Sequence, residues 1–302
     1  MKKFFTYALA FFVVAGIAVP LFFSKSVRKE KLRSLAQAPA EKPFVIIIPS
    51  YNNSAYCEHN LMSVLNQNYK NFRVIYIDDC SKDDTYEKVK TIVDRSPIRE
   101  RVTLIRNSQN QGALKNLYFA IHTCNDEEIV ATVDGDDFLA HTDVLKKLNK
   151  VYSDPQVWMT YGNYLDYPTY KQKPQICKPF PKSVVRNNSY RNHEWVSSHL
   201  RTFYAGLFKK ITVEDFMFDG RFLPMGWDLA FMLPMLEMSG KHCHYVEDVL
   251  YLYNRTNPIN DHKINLALQS ACANHVRSKP AYANLQAPPY LDQTPHLVAS
   301  GE

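Results

Sequence analysis

Cysteine is scarce and scattered in this chain. The six residues, Cys57, Cys80, Cys124, Cys177, Cys243 and Cys272, include no Cys-x-x-Cys pair and no dense spacing. That pattern excludes a small disulfide-stapled scaffold and reads as reduced, mostly buried thiols. Internal repeats are absent, so the 302 residues are not a stacked array. A large excess of one charge is missing too: 36 Lys and Arg face 30 Asp and Glu, a net +6. Much of the surplus sits in one stretch, KSVRKEKLR at 25–33. Because that stretch follows an apolar run, it reads as a membrane-flanking cluster rather than a nucleic-acid surface.

The apolar run is FFTYALAFFVVAGIAVPLFF, residues 4–23, uncharged throughout. At a rise of about 1.5 Å per residue, about 20 residues just cross a hydrocarbon core of about 30 Å. The small-residue stretch AQAPA at 36–40 lies too far downstream for an ordinary signal-peptide site, which favours an anchor at 1–24 over a cleaved leader. A basic juxtamembrane linker at 25–42 follows. Five basic residues in that flank against Lys2 and Lys3 upstream predict a single-pass membrane protein with its C-terminal domain in the cytoplasm.

From residue 43 the pattern changes. FVIIIPS (44–50) is an unbroken apolar run, the mark of a strand buried on both faces. It is followed by helix-like YCEHNLMSVLNQ, strand-like FRVIYIDD, a helix in SKDDTYEKVKTIV opened by Ser81, then RVTLIRN, GALKNLYFAIHTC, EEIVATVDGDD and HTDVLKKLNKVY. Strands alternating with helices of this length predict a mostly parallel sheet flanked by helices. Beyond it, VWMTYGNYL and HYVEDVLYLYNR read as strands, 166–194 as loop, and WDLAFMLPMLEMSG as a helix broken or kinked at Pro234. Residues 274–302 lack periodicity and read as a loose tail.

Ligands of such sheets bind beyond the carboxyl ends of the strands. Here those ends are PSYNN, DDCSKDD, RNSQNQG and DGDD. Each Asp alone reads equally as a turn residue or helix cap. Together they place like charges where nothing structural asks for them, and a hard divalent cation, Mg²⁺ or Mn²⁺, with a phosphate-bearing ligand resolves the repulsion. His242 and His244 in KHCHY have no partner cluster and read as satisfied, non-liganding histidines.

The stretches VIIIPSYNNSAYCEHNLMSVLNQNYKNFRVIYIDDCSKDDT, NQGALKNLYFAI and VDGDDFL, in this order and spacing, resemble family 2 glycosyltransferases of the GT-A fold. The resemblance covers about residues 43–255, within a domain drawn at 43–273. It implies a Rossmann-like α/β domain and an inverting, metal-dependent transfer of a sugar from a nucleotide diphosphate donor, with a UDP-sugar favoured. On that resemblance, Pro49, Ser50 and Tyr51 line the base, Asp79 accepts from a uracil N–H, and Gly112 lets backbone approach the donor. Lys115 stands where the family often has Arg, and reads either as a phosphate ligand or as a solvated helix residue. Asp134 and Asp136 belong to the nucleotide-sugar site, and Asp136 and Asp137 to the metal.

The same resemblance implies that Asp228 is the base that takes the acceptor's proton. Trp227 precedes it where Glu is usual, and reads as a platform for an acceptor sugar or as core. Arg201 reads as a ligand for an acidic acceptor or as half of an ion pair. Asp261 and His262 resemble a flap over the pyrophosphate. The expected acceptor is an envelope glycan or a lipid-linked saccharide. Two alternatives stand beside this reading. One is an inactive GT-A domain that only binds a partner, and the other is a nucleotidyltransferase, although PSYNN has neither the glycine nor the lysine that such enzymes place after their first strand.

Overall fold

The computed structural model describes residues 39–171, 177–258 and 265–291. The chain divides after Pro39, and the unit beginning at Ala40 carries all the elements below. In chain order these are β1 (Phe44–Ser50), α1 (Cys57–Leu65), β2 (Phe72–Asp78), α2 (Thr85–Arg95), β3 (Val102–Arg106), α3 (Ala113–His122), β4 (Ile129–Thr132), β5 (Phe138–Leu139) and α4 (Val144–Tyr152). There follow β6 (Met159–Tyr167), α5 (Lys182–Arg186), β7 (Arg201–Tyr204), α6 (Ala205–Phe208), β8 (Met217–Phe218), β9 (Arg221–Phe222), α7 (Trp227–Ser239), β10 (Cys243–Asn254) and α8 (Leu266–Ser278).

Eight strands form one sheet in the order β3-β2-β1-β4-β7-β6-β10-β5. The expected alternation of strands and helices builds its first half, where β1 pairs in parallel with β2 and β4, and β2 with β3. The second half is mixed: β7 enters antiparallel between β4 and β6, β6 and β10 pair in parallel, and β5 closes the edge antiparallel to β10. The sheet is therefore mostly parallel, with its antiparallel pairings made by β7 and the short edge strand β5.

The unbroken apolar run of β1 is explained by the two-residue period of a strand. Val45 and Ile47 join a core that includes Leu117 of α3 and Phe231 of α7. Phe44, Ile46 and Ile48 join the opposite core, with Leu61 of α1, Val89 of α2 and Leu145 of α4. Both faces are covered, and each fully buried aliphatic side chain contributes about 1.5–3 kcal/mol. All six cysteines are free.

Helix α7 runs unbroken through Pro234 over 13 residues. Proline inside a helix costs about 3 kcal/mol, yet every residue from Ala230 to Ser239 is buried, and packing on all sides holds the helix together. Residues 274–291 also differ from the loose tail expected. The end of α8 and the segment after it are tied to α7: the Tyr282 N–H donates to Glu237 Oε2 at 3.0 Å, and the Leu285 N–H donates to the Met238 carbonyl at 2.9 Å. Glu237 in turn forms a buried two-pronged pair with Arg191, at 2.7 and 2.9 Å.

The expected N-terminal transmembrane helix requires correction. Among the described residues, no helix is long and apolar enough to cross a membrane. The run at 4–23 and most of the basic linker lie outside the described residues. The architecture is accordingly α/β, a sheet flanked by helices, and no helix among the described residues supports the expected single-pass topology.

Candidate active site

Beyond the carboxyl end of β4 the chain turns sharply through Asp134, Gly135, Asp136 and Asp137. The Asp137 N–H closes the turn on the Asp134 carbonyl at 3.0 Å. Asn60, on the buried face of α1, donates its amide to the carbonyls of both Asp134 and Asp137, at 2.9 and 2.7 Å. One side chain therefore fixes the turn from beneath. Gly135 packs against the end of β1, where a Cβ would lie 2.6 Å from atoms of Ser50 and Asn53. A contact that close leaves room for glycine alone.

The turn forms one wall of a cleft of about 250 Å³ lined by Pro49, Tyr51, Asn53, Ala113, Trp227, Tyr253 and Asn257 as well as the acids. Asp137 is 1% exposed. Its Oδ1 accepts from the Asn254 N–H at 2.6 Å, while Oδ2 ends without a hydrogen bond of normal geometry. Burial, and then the neighbouring charges of Asp136 and Asp134, hold its carboxyl well above the usual range. Such a group takes up a cation readily, because a cation supplies what the protein interior does not.

A third group points to the same place. His199, two residues before β7, offers a ring nitrogen that lies with carboxylate oxygens of Asp134 and Asp137 inside a 4.8 Å span. Burial, and then the charges of Arg201 and Arg255, push its pKa well below the ordinary histidine value. The imidazole is therefore uncharged and free to ligate. Two carboxylates and a neutral imidazole suit a divalent cation, and the nitrogen favours Mn²⁺ over the harder Mg²⁺. Asp136 lies on the cleft side of the turn, its Oδ2 accepting from Asn257 Nδ2 at 2.7 Å.

Residues 45–213, more than half of the chain, match Glycosyl transferase family 2. The chain belongs to that family. Among curated relatives of this family 2 chain, an uncharacterized glycosyltransferase of Haemophilus influenzae is 35% identical over 119 residues, 39% of this chain and 46% of that protein. The Escherichia coli UDP-Glc:alpha-D-GlcNAc-diphosphoundecaprenol beta-1,3-glucosyltransferase WfaP is 30% identical over 119 residues, 39% of this chain and 45% of that protein. The chain thus spans about half the length of these relatives. Among solved structures, S. aureus TarS 1–349 shares the fold with a TM-score of 0.55 at 19% identity, over 70% of this chain and 60% of that one. The same protein in complex with UDP-GlcNAc gives 0.53 at 17%, over 71% and 59%.

The expected site residues of this family 2 chain do not all meet in one place. Pro49, Tyr51, Asp134, Asp136, Asp137 and Trp227 line the one cleft. Ser50 lies behind it, its Oγ accepting from Tyr76 and from Asn53. Asp79 is 3% exposed, and its carboxylate is occupied by the following loop: Oδ1 accepts from Asn107 Nδ2 and the Gln111 N–H, and Oδ2 from the Gly112 N–H, at 2.7–2.8 Å. Gly112 adopts a φ of +84° to make that contact, a conformation that favours glycine. Lys115 lines a separate groove against Ile75, Ile105 and Phe119.

Asp228 stands in the first turn of α7, where the helix dipole favours an anion. Its Oδ2 accepts from Arg201 at 2.8 Å. Arg201 is 3% exposed, so its charge is engaged inside the protein and the ion-pair reading fits it. Trp227 packs on Phe231 with ring centroids 5.9 Å apart and also lines the cleft. His242 stacks on Trp158 at 3.8 Å, far along the sheet from the acids. Asp261 and His262 lie outside the described residues.

Sequence reading missed His199, Asn60, Gly135 and Asn257. Asn60 was findable: it falls with Cys57, Leu61 and Val64 on one helix face, and a polar residue on an apolar stripe asks for a partner. No sequence pattern marks His199, whose place comes from the antiparallel entry of β7.

Proposed function

We propose that the chain is an inverting, metal-dependent glycosyltransferase that moves a sugar from a nucleoside diphosphate donor, a UDP-sugar by preference, to a saccharide hydroxyl on a glycan or lipid-linked acceptor. The observation that carries this reading is the convergence of Asp134, Asp137 and neutral His199 beside a cleft that the acids and Trp227 of α7 line together. Family membership and the UDP-GlcNAc complex of TarS support the donor class. The UDP-Glc named for WfaP points the same way.

Asp134, Asp137 and His199 would hold the cation, which when bound offsets charge on the diphosphate leaving group. Pro49 and Tyr51 flank the donor, and Asn257 holds the Asp136 carboxylate in place beside it. Asp228 accepts the proton of the acceptor hydroxyl as that oxygen attacks the anomeric carbon. Trp227, next to it, offers an aromatic face to the acceptor ring.

The test is donor binding and turnover by the purified protein over a panel of nucleotide sugars, with and without Mn²⁺, for wild type and Asp228→Asn. The reading predicts metal-dependent binding of one donor by both proteins, and a turnover lower by about 10²–10⁴-fold in the variant. A folded protein that binds no donor refutes it. Metal-dependent binding without turnover in the wild type favours a binding-only domain.

A further inference from the structure

We infer that Arg201 is a positioning residue that sets the proton-accepting carboxylate of Asp228 and the metal-facing imidazole of His199 in one rigid unit. This rests on the glycosyltransferase reading above and extends it to a residue that touches neither substrate.

The geometry of the guanidinium carries the inference. One terminal nitrogen lies 3.4 Å from His199 Nδ1, and the other lies 3.4 Å from Nε2. The in-plane lone pairs of an imidazole diverge on opposite sides of the ring, so a planar fork reaches both nitrogens at once only by lying over the ring face. The other face of His199 is stacked on Tyr251, with centroids 4.4 Å apart and planes 11° apart. His199 is thus held between the Arg201 guanidinium and the Tyr251 ring, and one of its ring nitrogens still comes within reach of Asp134 and Asp137. The Tyr251 hydroxyl accepts from the Asp134 N–H at 3.1 Å, which ties the stack back to the acidic turn.

The guanidinium nitrogen facing Nε2 also donates to Asp228 Oδ2 at 2.8 Å. A single planar group therefore spans the proton acceptor and the cation-facing histidine. Its own position is fixed by the sheet, since Arg201 begins β7 directly opposite Thr132 at the end of β4, and β4 leads into the acidic turn. Arginine suits this task where lysine does not, because only the planar fork both stacks on a ring and pairs with a carboxylate.

The experiment compares Arg201→Met and Arg201→Lys with wild type and Asp228→Asn in the full chain, with folding checked by circular dichroism. Arg201→Met is expected to lower kcat by about 10²-fold, the scale of a misplaced catalytic group, with the donor KM little changed. In the Asp228→Asn background the same substitution is expected to cost almost no further turnover, because its effect runs through that carboxylate. Mn²⁺ binding, followed by the spin-resonance signal of the free ion, is expected to weaken in both Arg201 variants. Arg201→Lys, which keeps the charge, is expected to recover part of kcat but not the Mn²⁺ affinity, and it carries the test should the methionine variant not fold. Full turnover in either folded variant overturns the inference, and so does an equal loss in both backgrounds, the signature of a merely structural role. If Asp228→Asn itself turns over normally, it is the assignment of the base that fails.

Discussion

Gly135 approaches Ser50 so closely that a methyl group on its Cα would lie 2.6 Å from both the Cβ and the Oγ of Ser50. The acidic turn is therefore seated directly on the end of β1, and the cleft owes its shape to a missing side chain. Gly135→Ala is expected to push the turn outward, lowering stability by about 1–3 kcal/mol as overpacking does and weakening nucleotide-sugar binding. Calorimetric titration of the donor together with a thermal melt checks both. An alanine variant with wild-type donor affinity would mean that the turn shifts without consequence for the cleft.

His199 is the site residue farthest from any recognisable motif. Its replacement by Ala is expected to weaken Mn²⁺-dependent donor binding by at least the roughly 10–100-fold that even supporting residues of metal sites contribute, while metal-free binding stays as it was. Donor titrations at several Mn²⁺ concentrations separate the two. An unchanged metal requirement would place the cation elsewhere on the acidic turn.

The pair formed by Arg191 and Glu237 is the most deeply buried ion pair among the described residues, with side-chain exposures of 7% and 0%. It clamps α7 to the segment before β7 and, through the Tyr282 N–H, to the segment after α8. Arg191→Ala leaves the Glu237 carboxylate buried beside no counter-charge, and is expected to cost about 3–5 kcal/mol in a urea unfolding curve. The double replacement by apolar residues of similar volume is expected to restore much of that loss.

Glu128 gives the fold a dependence on pH. Burial alone would raise its carboxyl, but the two-pronged contact with Arg73 and the Asn125 N–H outweigh that and hold it below the usual glutamate range. A lowered pKa in the folded state stabilises above the unfolded value, and that contribution disappears as the pH falls through the folded one. Glu128→Gln is therefore expected to destabilise the protein at neutral pH by about 1–3 kcal/mol. The gap to wild type should close in the acidic range below about 4.3, the unperturbed value. Unfolding curves at neutral and acidic pH decide it, and a constant gap would mean that the carboxylate charge contributes nothing.

Much of this was legible in the chain itself. The apolar run of β1 predicted a doubly covered strand because both parities of its residues are aliphatic, and no local alternative buries them. The DGDD turn announced a cation-dependent site because three carboxylates in four residues repel unless something positive joins them. The mostly parallel expectation did not say where antiparallel strands enter, since the insertion of β7 depends on what lies across from Arg201 and not on the residues of β7. At Pro234 the sequence left a broken and a kinked helix open, and α7 is continuous through it because packing on all sides offsets the missing hydrogen bond.

Sequence alone, then, determined the family, the α/β order of the first half and the identity of the acids, because each of these is written in contiguous residues and short periods. Only the tertiary structure decided that Asp79 is spent on the loop ending at Gly112, that Lys115 faces a different groove, and that His199 and Arg201 stand between the acidic turn and Asp228. The last of these depends on the register of β7 against β4, which joins residues about seventy apart in the chain. Register is set by the burial of a whole strand face, so no single stretch of sequence carries it.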